Sequence, residues 1–158
     1  MYCFPESLKR AYESSPLSFV YYQNVEGRAV PVLASDGFVR NTGMSREKVL
    51  VWLKAGLFER MHPDDVGFMA KVSDDFLNHR APYDALFRCR IGKEYALIHG
   101  IGKWQVMPDG TELAVIGYAN VSRTKEGQLS EMEKFGLAQK DRFYYDSVTG
   151  LPGVTYMK

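Results

Sequence analysis

From Pro82 onward the hydrophobic period of this sequence changes from helical to two, and that change restricts the chain to a small set of folds. Tyr83, Ala85, Phe87, Cys89 and Ile91 alternate with Asp84, Leu86, Arg88 and Arg90, the pattern of an antiparallel strand with one buried face. Gly92-Lys93 turns the chain into a second strand, Tyr95 to Met107. Pro108-Asp-Gly110 supplies a hairpin turn, and a third strand follows from Leu113 to Val121. Three long strands in a meander have an apolar face that other elements must cover.

The upstream residues supply those elements. Phe4, Leu8, Ala11 and Tyr12 recur at helical spacing, which predicts a short amphipathic helix within residues 1–15, ended before Pro16. Leu17 to Gln23 reads as a strand, Asn24-Val-Glu-Gly27 as a turn, and Ala29 to Leu33 as a second strand. Pro31 restricts that strand to an edge or a bulge. Short helical pieces follow: Asp36 to Arg40 with a stop at Asn41-Thr-Gly43, then a helix capped by Ser45 and broken at Gly56. A longer helix opens at Met61-His62-Pro63-Asp64-Asp65, with Val66, Met69, Ser73, Phe76 and Leu77 along one face. The expectation is an α+β domain built on a five-stranded antiparallel sheet with helices on one face.

Composition narrows the function classes. Apolar residues make up 46% and aromatic residues 13%, enough for a core in a 158-residue chain. Twenty basic residues against 19 acidic ones give a formal charge of +1, no electrostatic footprint for nucleic acid or an anionic membrane. Cys3 and Cys89 are too few for a disulfide framework or a zinc site. No apolar run is long enough to span a bilayer, and residues 1–15 lack a signal-peptide core. A cytoplasmic location is expected.

Several short stretches, in this order and spacing, resemble the PAS family across roughly residues 5–122. They are Ser35-Asp-Gly-Phe-Val-Arg-Asn-Thr-Gly43, Met61-His-Pro-Asp-Asp65, Gly92-Lys-Glu-Tyr95, Asp109-Gly110, and Gly117-Tyr-Ala-Asn-Val-Ser122. Members commonly close their last strand with Asp-Ile-Thr, where this chain has Asn120-Val121-Ser122; Asn120 can hydrogen-bond there but forms no ion pair. The resemblance implies a sensory and dimerisation domain over residues 16–122, with Asn120, Val121 and Ser122 as the signal-transmitting junction. Residues 143–158 hold Asp146-Ser-Val-Thr149-Gly150-Leu151, which resembles the amino-terminal edge of a GGDEF-type nucleotide cyclase domain. Members usually continue Leu-x-Asn-Arg; Gly153 and Val154 stand there instead and offer no side-chain hydrogen bond to a guanine. The resemblance implies a cyclic di-GMP output domain in cis, whose catalytic loop is not in this sequence.

Between the two lies a charged connector, residues 123–142, with a sparse apolar seam of Leu129, Met132 and Leu137 interrupted by Gly127 and Gly136. It reads as a linker helix near the margin of stability. A homodimer through the N-terminal and linker helices is expected.

Candidate chemistry is thin. His62 with Asp64 and Asp65 offers metal-ligand types, but Pro63 and two acids describe a helix start. His79, at the end of that helix, reads as solvent-facing, with a haem ligand as the sharper alternative. No reactive cysteine stands where a photoactive flavin would need one. A cavity between sheet and helices would be lined by Met69, Phe76, Phe87, Cys89, His99, Trp104 and Tyr118, although Trp104 and His99 fall on opposite alternations. These side chains either fill the interior or leave room for a small metabolite, the filled core being the plainer expectation. No cofactor, no metal and no catalytic residue is expected.

Overall fold

The computed structural model describes residues 1–121. Ser122, the connector and the GGDEF-like segment lie outside the described residues. The elements are α1 (Glu6–Glu13), β1 (Phe19–Val25), β2 (Arg28–Ala34), α2 (Asp36–Thr42), α3 (Arg46–Ala55), α4 (Pro63–His79), β3 (Tyr83–Ile91), β4 (Glu94–Val106) and β5 (Glu112–Asn120). A 3-10 turn over Leu57–Arg60, not anticipated from the sequence, joins α3 to α4. The strands form one sheet in the order β2-β1-β5-β4-β3, antiparallel at every pairing. The expected five-stranded antiparallel sheet stands; the expectation of helices on one face alone does not, because α1 packs on the face opposite α2–α4.

Local chemistry sets the element ends. Glu26 and Gly27 both take positive φ in the two-residue turn between β1 and β2, the geometry that matches strand twist. The β1–β2 register shifts between Tyr21 and Tyr22, which pair with Leu33 and Pro31, so Pro31 sits both on an edge strand and beside a bulge. Ser35 caps α2 through Phe38 N–H and donates its hydroxyl to the Leu17 carbonyl at 2.6 Å. At Gly37 the backbones of Pro16 and Leu17 occupy the space a Cβ would need. The start of α2 is thereby pinned to the strand entry.

Helices α2, α3 and α4 cover one face of the sheet. Its main core joins Val20, Tyr22, Phe38, Val49, Trp52, Leu53, Met69, Phe76, Phe87, Ile98, Ile116 and Tyr118. On the opposite face α1 and the preceding residues pack Phe4, Leu8 and Tyr12 against Tyr21, Leu33, Met107 and Leu113. Tyr12 stacks on Tyr21 at 5.7 Å. Helices therefore lie on both faces, since the alternation of β1 leaves Phe19 and Tyr21 on the side that α2–α4 do not reach.

The buried residues of α4 are Asp65, Met69 and Phe76; Met69 and Phe76 belong to the expected face, Val66 and Leu77 pack beside them half-buried, and Asp65 is the addition. Asp65 is 2% exposed. Its Oδ2 accepts from Arg88 N at 2.7 Å and Nε at 3.0 Å, and its Oδ1 from Nη2 at 2.8 Å. His62 N–H donates to the Arg88 carbonyl at 2.9 Å, and Met61 bridges to Cys89. The start of α4 is thus stitched along the free edge of β3. At the far end Arg80, in left-handed conformation with φ 58°, pairs bidentately with Glu112 at 2.8 and 3.1 Å. Its guanidinium lies 4.0 Å from the Trp104 ring centroid, an arrangement suited to cation–π attraction.

Removing one partner of a buried ion pair leaves the other uncompensated, so Asp65→Ala is expected to cost about 3–5 kcal/mol. Exposed Asp64→Ala should cost no more than about 1 kcal/mol. Urea unfolding of the two variants checks the contrast; equal losses would contradict it.

Candidate functional site: a small cavity beside a buried tyrosine cluster

Strands β3, β4 and β5 meet α2, α3 and the 3-10 turn around a cavity of about 40 Å³. Its wall is apolar, built from Phe38, Trp52, Leu57, Phe87, Ile98 and Tyr118, with Asn41, Arg60 and Asn120 also among its lining residues. Phe38 stacks on Trp52 at 6.0 Å and meets Tyr118 at 5.3 Å. Phe87 stands edge-on to Tyr118. Gly100 and Gly102 of β4 permit this density of rings: a Cβ at either would come within 3.0 Å of Tyr83, and at Gly102 within 3.2 Å of Phe76.

The candidate residues separate into three groups. Phe87, Cys89 and Tyr118 line the cavity. Met69 and Phe76 are buried in solid packing under α4, and Trp104 stacks on Phe76 at 5.2 Å at the far end of that helix. His99 does not belong with them. Ile98, Gly100 and Gly102 face the helices, so the strand alternation puts His99 on the other face. There its Nε2 lies 2.6 Å from Asp84 Oδ1. The ambiguity between His99 and Trp104 resolves in favour of Trp104 as the helix-side residue.

The other histidines follow their local settings. His62 caps α4, its Nδ1 accepting from Asp64 N–H at 3.1 Å. His79 is exposed at the end of α4, 4.0 Å from Asp74. It forms with Asp74 and Asp75 a group of metal-ligand types on the exposed end of that helix, away from the cavity. A haem or flavin needs a site on the order of 300–1,000 Å³, against about 40 Å³ in this cavity.

What sequence reasoning missed is a phenol cluster. Tyr22 and Tyr118 share a hydroxyl–hydroxyl hydrogen bond of 2.9 Å within the core, and Tyr83 is buried beside them. Burial holds all three phenols well above their ordinary value. The bond to Tyr118 opposes that shift at Tyr22, while Tyr22 adds to it at Tyr83. For Tyr118 both Tyr22 and Tyr83 reinforce the shift. Burial also pushes the Cys89 thiol up to about 11, against the opposing charges of Arg60 and Arg90. The only available signal was that Tyr22, Tyr83 and Tyr118 each fall on a helix-facing strand position, which requires knowing which strands pair.

An antiparallel sheet of this order, with helices clasping a cavity against β3–β5, is the PAS fold. The PAS domain of the fruit-fly ELK potassium channel is similar to it, with a TM-score of 0.59 at 15% identity over 76% of this chain and 98% of that one. The LOV protein of Rhodobacter sphaeroides gives 0.57 at 13% identity, over 96% and 87%. The PAS domain of Bordetella pertussis BvgS gives 0.51 at 13% identity, over 84% and 96%. No family model matches the sequence, and no curated protein matches it. The likeness is one of fold.

Groups that stay protonated in the folded chain but ionise when unfolded withdraw stability as pH rises. The stability linked to Cys89, Tyr22, Tyr83 and Tyr118 is complete below their unfolded values, about 8.5 for cysteine and about 10 for tyrosine. It is lost as pH climbs through and beyond them, at roughly 1 kcal/mol per pH unit for each group ionising only in the unfolded chain. Urea midpoints at pH 8, about 9.5 and about 10.5 are expected to fall progressively, with a smaller fall in Tyr22→Phe. A flat profile would contradict the buried cluster.

Proposed function

We propose that this domain is the sensory and dimerisation input of a bacterial signalling protein, regulating a GGDEF-type cyclic di-GMP output domain that follows it in cis. The observation that carries the reading is Asn120: it closes β5, the central strand of the sheet, and is one of the residues lining the cavity. A change in cavity occupancy therefore acts directly on the residue from which the chain leaves the sheet. Asn120, Val121 and Ser122 form the junction, and the connector 123–142 carries the change to the output domain as a shift between two packings. The resemblance of residues 143–158 to the opening of a GGDEF domain supports the identity of that output.

Function in this reading is regulatory, and the domain works as a homodimer in the cytoplasm. Among the described residues no helix is long and apolar enough to cross a membrane. Leu17 and Ile101, at 71% and 47% exposure, lie with Phe19 and Val115 on the outer sheet face near α1, an apolar strip suited to a second copy of the domain. The small volume of the cavity favours a second reading, in which the domain is a ligand-free scaffold that pairs the subunits.

Asn120→Ala in the parent protein is expected to change cyclic di-GMP turnover severalfold while leaving thermal stability within a few degrees. Unaltered turnover in a stable variant would refute the relay. Assayed alone with GTP, the 158-residue chain should form no cyclic product, and product formation would overturn the regulatory assignment.

A further inference from the structure

The surface of the cavity is apolar throughout: Asn41, Arg60 and Asn120 contribute carbon to it rather than their polar atoms. Polar groups of the wall turn to partners elsewhere. Thr42 Oγ1 donates to the Val39 carbonyl at 2.6 Å and accepts from Met44 N–H at 3.1 Å. Arg60 Nε donates to the Arg90 carbonyl at 3.1 Å, and the Tyr118 hydroxyl is bonded to that of Tyr22 at 2.9 Å. A buried water needs roughly two to four polar partners, and the described wall presents none to the space. It is built against water. Close packing ordinarily shuts such a gap, because a void forfeits dispersion contacts. Here each ring is held by another, Phe38 by Trp52 and Tyr118, and Phe87 by Tyr118, so the hollow is preformed. Met44 and Leu57, both half-buried, complete the wall, and the unbranched methionine side chain swings aside readily to admit a solute.

We propose that the cavity is a binding site for small uncharged apolar molecules, the class of the lightest hydrocarbons, seated among Phe38, Phe87, Ile98 and Tyr118. Volume sets the size. A chamber of about 150 Å³ holds benzene, and 40 Å³ is roughly a quarter of that, space for about one or two heavy atoms. Chemistry sets the class. A hydroxyl, amine or carboxylate on the ligand would be buried without a partner, whereas carbon and hydrogen lose nothing there. This names a ligand class for the sensory reading and rests on that reading only for its biological use. Binding is measured on this chain alone, so failure of the relay and failure of the site are separate results.

The test is two-dimensional methyl NMR of the 158-residue chain, labelled at the isoleucine δ1 carbons and titrated under pressure with methane, ethane and butane, and with methanol in solution. Ile98 lines the cavity and Ile101 the outer apolar strip; Ile98→Val and Ile101→Val assign the two signals. Ethane is expected to shift the Ile98 signal saturably and leave the Ile101 signal in place. Methane should bind about fourfold more weakly for the lost carbon. Butane should gain nothing over ethane. Methanol, with as many heavy atoms as ethane, should bind at least about fivefold more weakly, because its hydroxyl goes unpaired. Cys89→Leu, which adds carbon to the cavity wall, should abolish the ethane shift. An unmoved Ile98 signal, methanol or butane binding more tightly than ethane, an equal response at Ile101, or undiminished binding in folded Cys89→Leu overturns the proposal. The wild-type series decides the matter even if Cys89→Leu does not fold.

Discussion

A carboxylate almost wholly withdrawn from water sits where the first core residue of α4 would otherwise be. Asp65 occupies the stripe it shares with Met69 and Phe76, and such a position tolerates a charge only when every lone pair is engaged. Arg88 engages it with three donors, two from the guanidinium and one from the backbone. Because Arg88 belongs to β3, the pair fixes where α4 begins relative to the sheet. Everything ahead of α4 inherits that position: His62 on the strand edge, Arg60 over Trp52, and the 3-10 turn that closes one side of the cavity. The Arg80 clamp on Glu112 and Trp104 holds the other end, so α4 is tethered at both termini, with Met69 and Phe76 packed between them and Asn24 donating to the Leu77 carbonyl.

Much of this was legible in the sequence because it is local. The change of period at Tyr83, the turn residues at Gly92 and Gly110, the Ser45 cap and the Pro63 start each act over a few residues, and each element appears within two or three residues of its expected place. Pro31 restricted its strand to an edge or bulge before any pairing was known. What was illegible is non-local. Asp65 and Arg88 stand 23 residues apart, and nothing near Asp65 distinguishes it from Asp64, which stays in solvent. Strand alternation puts His99 and Trp104 on opposite faces, but which face meets the helices depends on the β4–β5 pairing. The placement of α1 against the opposite face from α2–α4 had the same origin, and so did the phenol cluster, whose members come from three separate strands.

The core shows how far a fold of this kind can be filled. Aromatic rings from α2, α3 and β5 stack around the cavity, two glycines of β4 let neighbouring rings lie against the strand, and the space left is small. A large prosthetic group would require most of those rings to move. The candidate junction nevertheless keeps direct contact with that space through Asn120, so the wall of the chamber and the exit of the chain are parts of one strand. The relay proposed above would therefore need no long path through the protein.

The two margins of the sheet carry a further implication. Along β3 the backbone of Arg88 is already engaged by His62 and Asp65, and along β2 the bulge and the missing N–H of Pro31 break the row of donors. Neither border offers a continuous template to an incoming strand. Fibrillar growth by edge addition is thereby disfavoured, and a concentrated solution of this domain should remain free of ordered aggregates for reasons built into its borders rather than its charge.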